Sequence, residues 1–420
     1  MEDDATAAAA AAEDAKSMVF RLDELLIEIL LRVDFPTTLV RAAAVCKRWY
    51  HHASDQNFIR RFHKLNPPRL LGFYMHGYPD DSFLSSVCPQ RFVPVLHQPP
   101  EMLAAAVRTV QGYSFPAQEY TVNVVAHCSN GRVFTFLCDE LGYQFFHEVH
   151  SPFCPGSAAI SINPGLTFLP RPPAFGFDIL TREEENGSLS YFYVFMEFVF
   201  NENGPATEWT ACVYMLQDGI WRKHTTATPR IPVGRVGYSV LVQNTVYMTV
   251  TLIDITVLDL STSSFSTIHL PDGVQHPRSD FMLSRAPDDS SVYLVKLKDF
   301  QLRIWLYKGG SWSVVDTFLL LEMCANPMIS DCTVEDAHTS PQIKHVGDYA
   351  QFVLLQMGRH VWNLDTRCRT LRTLYEMTTE EQAMKNINII PLMTWPPTFP
   401  SLRRLMHNRI MFCMWNQAIA

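Results

Sequence analysis

Residues 291–315 read SVYLVKLKDFQLRIWLYKGGSWSVV. Three short runs rich in Val, Leu, Ile, Tyr and Trp stand at Val292 to Lys296, Leu302 to Tyr307 and Trp312 to Val315, separated by Lys298-Asp299 and by Lys308-Gly309-Gly310-Ser311. Branched and aromatic side chains suit a pleated strand, and so short a turn leaves consecutive strands no choice but to pair as hairpin neighbours. The stretch is most of one antiparallel sheet.

The same grammar recurs on both sides of it. Leu258-Asp259 precedes Phe265 and Ile268 with Thr267 between, and Leu364-Asp365 precedes Leu371 and Leu374 with Thr373 at the matching place. An Asp entering a tight turn can accept from backbone N–H groups just ahead of it, so each unit reads as a hairpin closed by an apolar plug. Plugs after a turn stand at Phe168, Trp221, Phe265, Trp312 and Leu371, a mean spacing of about 51 residues, close to the repeat of kelch-type propellers. Extended over the positions after Asn66-Pro67-Pro68, that spacing predicts about six blades, with Ile410 to Trp415 expected to pair beside Leu70 to Met75 and close the ring. The same strands could build β-sandwich domains instead. Two segments break the repeat, Asn201 to Glu208 and Glu322 to Gln342, and loops on a rigid ring are where recognition usually sits.

Before the linker the period is helical. Leu22, Leu25, Leu26, Ile29, Leu30 and Val33 share one stripe, with Asp23, Glu24, Glu28 and Arg32 on the other face. Asp34-Phe35-Pro36 breaks the pattern, and Thr37 or Thr38 is placed to cap a second helix carrying Leu39, Ala42, Ala43, Cys46, Trp49 and Tyr50. A third helical turn follows Asp55, with Phe58, Ile59 and Phe62 inward. So small a bundle leaves too much of its surface wet to cover three apolar stripes alone. Some of this stripe is expected to meet a partner.

The particular residues carry a resemblance: Leu22-Asp23-Glu24-Leu25-Leu26, Ile29-Leu30, Pro36, Leu39-Val40-Arg41, Ala44-Val45-Cys46-Lys47-Arg48-Trp49, and Asp55 with Phe58. This set resembles plant F-box proteins, and AAAVCKRW with NPPRLLGFY is most similar to a grass subfamily. Where that family usually opens its first helix with Leu-Pro, this chain has Arg21-Leu22. The resemblance implies a multidomain α plus all-β chain: an acidic, Ala-rich disordered tail over 1–17, a three-helix F-box over 18–65, and a propeller-like associated region over 66–420. It implies docking on a Skp-family adaptor, and through it on a cullin and RING protein, by Leu22, Leu25, Leu26, Ile29, Leu30, Pro36, Leu39, Val40, Val45, Cys46 and Trp49. Trp49 and Cys46 are the first candidates to anchor the helices to each other instead. The propeller would hold a target protein for ubiquitin transfer. A scaffold without ligase output is the other reading.

Composition narrows the classes further. The chain has 420 residues, 47% hydrophobic and 12% aromatic, enough for a large core. Its net charge of −8 argues against a nucleic-acid channel. The first fifteen residues hold five acids and no base, a poor secretory signal, and no run of eighteen apolar residues predicts a membrane span. Ten cysteines without a C-x-x-C pair suit reduced thiols in the cytosol or nucleus; there Asn186-Gly187-Ser188 would stay unglycosylated.

No catalytic constellation is legible, so no cofactor and no metal is expected. His147 and His150 on a strand would project to opposite faces. His51-His52 suits the negative end of a helix. Gly234-x-x-Gly237 is too short to cradle a phosphate and reads as a turn between blades.

Overall fold

Each amphipathic run at the amino end forms a helix that buries one side. α1 (Asp23–Leu31), α2 (Pro36–Ala43), α3 (Lys47–Ala53) and α4 (Gln56–Leu65) close around Leu26, Leu30, Leu31, Leu39, Ala43, Ala53, Phe58 and Phe62. The second expected helix is divided at Ala44 to Cys46, and Cys46 stands at the N-cap of α3. α2 begins at Pro36, where a missing N–H costs nothing, so Thr37 and Thr38 lie in its first turn rather than capping it. Asp55 caps α4 as its position suggests, Oδ1 accepting from Phe58 N at 3.0 Å. The computed structural model describes residues 22–33, 36–66, 68–78, 90–95, 101–115, 122–138, 145–153, 159–162, 175–184, 189–200, 206–217, 220–229, 238–250, 254–274, 281–288, 290–332, 339–384 and 386–394. The amino-terminal tail, Phe168, Asn186 to Ser188, Gly234 to Gly237 and Ile410 to Trp415 lie outside them.

After Asn66 the chain turns to strands. β1 (Leu70–Tyr78) and β2 (Arg91–Pro94) pair, α5 (Glu101–Gly112) follows, and then come four four-stranded meanders. These are β3 (Val122–Ser129), β4 (Arg132–Cys138), β5 (Phe145–His150), β6 (Ile160–Ile162); β7 (Phe175–Glu183), β8 (Leu189–Phe200), β9 (Ala206–Gln217), β10 (Ile220–Ala227); β11 (Ser239–Val242), β12 (Thr245–Met248), β13 (Asp254–Asp259), β14 (Ser264–His269); and β15 (Phe281–Arg285), β16 (Val292–Lys298), β17 (Gln301–Lys308), β18 (Ser311–Leu319). α6 (Leu320–Cys324) leads to a fifth, β19 (Gln342–Val346), β20 (Phe352–Met357), β21 (His360–Asp365), β22 (Thr370–Glu376), and α7 (Thr379–Gln382) to β23 (Asn386–Met393). The result is a six-bladed propeller, numbered here from the sheet β2-β1-β23 as blade one.

The turn chemistry behaves as the residues dictate. Gly309 and Gly310 have φ of +60° and +84°, and Lys308 pairs with Ser311 across them. Asp259 Oδ1 accepts from Ser261 N and Thr262 N at 2.7 and 3.2 Å; Asp365 Oδ1 accepts from Arg367 N and Cys368 N at 2.9 and 2.7 Å. Behind these turns Phe265 pairs with Leu258 and Leu371 with Leu364. The expected plugs Trp221, Phe265, Trp312 and Leu371 all fall on the outermost strand of their blade.

Closure differs from the expectation. β1 is flanked by β2 and by β23, with Leu70 opposite Met393 and Tyr78 opposite Asn386. Both edges of Leu70 to Met75 are therefore occupied without Ile410 to Trp415. Arg69 N donates to Thr394 Oγ1 at 2.7 Å, and Thr394 N to Arg69 O at 2.8 Å. Every seam between adjacent blades is filled by its own apolar cluster, which is why strands such as β8, buried from Tyr191 to Met196, read as unbroken apolar runs.

Two helices were not legible as such. α5 falls where strands were expected; Leu103, Val107 and Val110, at helical spacing, seal the seam between blades one and two, and α2 lies alongside. α6 opens the segment read as a polar insertion, burying Leu320 and Met323. Within that segment Cys324 and Cys332 are joined as a disulfide, with Cα atoms 5.0 Å apart, which corrects the expectation of thiols throughout.

Candidate functional site

α1 carries apolar residues on more of its circumference than its own bundle covers. Leu26 and Leu30 point inward and are fully buried, together with Leu31. Leu22, Leu25 and Ile29, spaced to share the opposite stripe, are 55%, 41% and 43% exposed. Val33 and Ile27 lie between, half-buried against the core.

Two ionic links fix this stripe in place. Arg48 donates to Asp23 Oδ1 through Nε at 2.7 Å and Nη2 at 2.6 Å, and His52 Nε2 lies 3.0 Å from the same oxygen. They bring the start of α3, and the Val45-Cys46 turn before it, beside the first turn of α1. Farther along, Glu28 accepts from Arg32 at 2.8 Å and from Arg61 of α4 at 2.9 Å. Arg48, then His52, holds the Asp23 carboxyl below its ordinary range; Arg32, then Arg61, does so for Glu28. His52 thus has a carboxylate partner as well as its place in the last turn of α3.

The eleven residues read as one docking surface therefore divide. Leu22, Leu25, Ile29, Val45 and Cys46 face solvent. Leu26, Leu30 and Leu39 are fully buried core and cannot touch a partner without unfolding the bundle. Val40 and Trp49 are half-buried, Trp49 packed on the core cluster; the side chain of Pro36 lies outside the described set. Cys46 is exposed and anchors nothing, contrary to expectation. The core roles of Leu31 and Ile27 were missed, because a single 3.6-residue stripe assigns one inner face where this helix has apolar residues on two.

The bundle stands at one mouth of the propeller. Asn66 Nδ2 donates to Leu31 O and Phe62 O, both at 3.2 Å, clamping the linker to the helices where β1 begins. β1 runs antiparallel to the innermost strand β23 and starts beside its end, so the helices lie on the face where the innermost strands finish. Ile59, Arg60 and His63 of α4 line that mouth of a central channel of 1010 Å3. β8 and β18, which lead into the two segments breaking the repeat, end on the opposite face. That face also carries a groove of 620 Å3 lined by Asp272, Lys298, Arg303, Trp305, Leu321 and Glu322.

His147 and His150 are buried in separate contacts: His147 against Phe136 and Tyr193, His150 with Thr135 Oγ1 at 3.0 Å and Tyr113 Oη at 3.2 Å. Among the described residues no group of three His, Cys, Asp or Glu side chains is arranged to hold a metal. No helix among them is long and apolar enough to cross a membrane.

Comparison with known proteins follows the same division. Residues 23–64 match the F-box-like family, and residues 124–399 match the β-propeller of F-box proteins described as AT5G49610-like. No curated protein matches the chain. Solved structures similar to it include a protein of unknown function from Bacteroides thetaiotaomicron, at 10% identity over 62% of this chain and 59% of that one, with a TM-score of 0.36. A hypothetical selenium-binding protein from Sulfolobus tokodaii matches at 11% identity over 75% of each chain, TM-score 0.37. A putative 6-phosphogluconolactonase from Bacteroides uniformis matches at 10% identity over 76% of this chain and 100% of that one, TM-score 0.33.

Proposed function

The chain belongs to the F-box proteins with an AT5G49610-like propeller, and from that membership we propose that it is the target-recognition subunit of a Skp, cullin and F-box ubiquitin ligase. The observation that carries this reading is the outward stripe of Leu22, Leu25 and Ile29, which the described chain leaves about half exposed. Burying a Leu or Ile side chain contributes about 1.5–3 kcal/mol, so a partner covering three of them gains a substantial share of its affinity there. The partner is a Skp-family adaptor, which joins the protein to a cullin and a RING protein in the cytoplasm or nucleus.

The division of faces supports the rest. With helices at one mouth, a target held at the other is kept apart from the adaptor but tied to it through a rigid ring. Transfer then gains from effective concentration, and this chain needs no acid, base or nucleophile of its own. The channel end away from the helices, with the groove beside Trp305 and Leu321, is the recognition surface.

The test is co-purification of the full chain with a recombinant Skp-family adaptor and cullin. Wild type retains adaptor and cullin, whereas Leu25→Asp with Ile29→Asp loses both while the propeller melts at its usual temperature. Equal adaptor recovery with the double variant overturns the assignment of the stripe. Adaptor bound without cullin favours the scaffold reading.

A further inference from the structure

The wall of the central channel is formed by the innermost strands β23, β3, β7, β11, β15 and β19, in that order around the ring. Its ionic groups near the helices are neutralised locally: Arg285 pairs with Asp348, and Arg182 with Glu184 at 2.7 Å. Arg60 stands at that mouth, on α4.

The half away from the helices is different. Lys344, third residue of β19, donates through Nζ to Ile387 O at 3.2 Å and has no acidic partner among the described residues. Asp178, fourth residue of β7, accepts from Ile179 N at 3.0 Å and Ser239 N at 2.8 Å and has no basic partner there. β7 and β19 are three positions apart in a ring of six, so the two residues lie on strands at opposite sides of the channel that both line. They do not pair with each other. A half-buried cation and carboxylate without counter-charges carry a cost to the fold, and an occupant bringing the opposite charges offsets that cost.

We propose that the channel is a binding site for a compact zwitterion, whose anionic group is received by Lys344 and whose cationic group is received by Asp178. The volume of 1010 Å3 is at the upper end of ordinary ligand sites, ample for a dipeptide-sized molecule. Burial alone holds Lys344 down to about 8 and pushes Asp178 up to about 6, as expected of groups lacking counter-charges. The required chemistry is present in a free amino-acid-like metabolite and in neighbouring basic and acidic side chains of a target polypeptide.

Calorimetric titration of the full chain with the dipeptide Arg–Glu tests the site. Binding is expected, weaker for arginine or glutamate alone, and reduced about tenfold or more by Lys344→Met or Asp178→Asn, since each leaves one charge of the ligand unpaired in the channel. In the wild-type protein, which avoids any folding defect of a variant, the dipeptide should slow acetylation of Lys344 but not of the exposed Lys298, read by mass spectrometry. Equal binding of acetyl-Gly-Arg-Glu-Gly-amide assigns the site to polypeptide side chains, and binding of the free dipeptide alone assigns it to a small metabolite. No heat with unchanged labelling of Lys344, or binding indifferent to both substitutions, overturns the proposal. None of these residues belongs to the helical stripe, so that failure leaves adaptor docking untouched.

Discussion

Leu25 and Leu26 are consecutive residues of α1 with opposite fates: the second is fully buried in the helical core, the first 41% exposed. Successive side chains leave an α-helix about 100° apart, enough to put one under the bundle and one on its surface. Leu26→Ala is expected to cost about 2–5 kcal/mol through the cavity it leaves. Leu25→Ala should stay within about 0.5 kcal/mol, as surface changes usually do. Hydrogen exchange across α1 to α4 distinguishes them, and equal protection in both variants would contradict the assigned faces.

Trp312 Nε1 donates to His269 O at 2.8 Å, joining the outer strand of blade five to that of blade four. Trp312→Phe keeps most of the apolar ring but strands that carbonyl, a loss of about 1 kcal/mol. The propeller transition should fall by roughly two degrees. An unchanged melting temperature shows that water replaces the indole at no cost.

Acid should weaken this fold. Burial holds His76 and His150 down to about 4 and His147 to about 3, and all three are sealed in the propeller. Folded pKa values below the unfolded one near 6.5 mean that their contribution is complete above pH 6.5 and drains as pH falls toward 4. Each supplies at most ~1.4 kcal/mol per pH unit in that window. Asp178 and Glu148, pushed up by burial, act in the opposite sense. Burial also holds His127 and His345 down to about 4. Five imidazoles against two carboxyls leave a net loss, so calorimetry should show the melting temperature dropping between pH 7 and pH 5, with a shallower slope for His147→Gln. A flat profile refutes the neutral state of these histidines.

The Cys324–Cys332 link predicts a labelling order. Cys46 and Cys368 are exposed free thiols and should react with N-ethylmaleimide in the native protein. Cys324 and Cys332 should react only after reduction. Peptide mapping that finds both alkylated without reductant shows that the native protein holds them as thiols.

The blade was legible because its determinants are local. Gly309-Gly310 can form only a tight reversal, and Asp259 and Asp365 answer backbone donors two and three residues away. The spacing of Trp221, Phe265, Trp312 and Leu371 survives because each repeats one position of one repeated unit. α5 was less legible: its Ala-rich turns stand inside the region whose period reads as alternating, and its apolar face belongs to the seam between blades one and two.

Closure and docking are matters of a different kind. Whether β23 or Ile410 to Trp415 lies beside β1 depends on residues more than three hundred positions apart, and only packing decides between two apolar stretches of equal strand character. Likewise the period of residues 22–33 declares an amphipathic helix but not which apolar residues face its own bundle. The amino-acid order by itself determined the helical module, the repeating hairpins and the kind of ring they form, since these follow from neighbours a few bonds apart. Which leucines stay exposed, which strand shuts the ring, and that Lys344 and Asp178 line one channel from opposite strands were decided only when distant segments packed together, because exposure and juxtaposition are properties of the assembled surface.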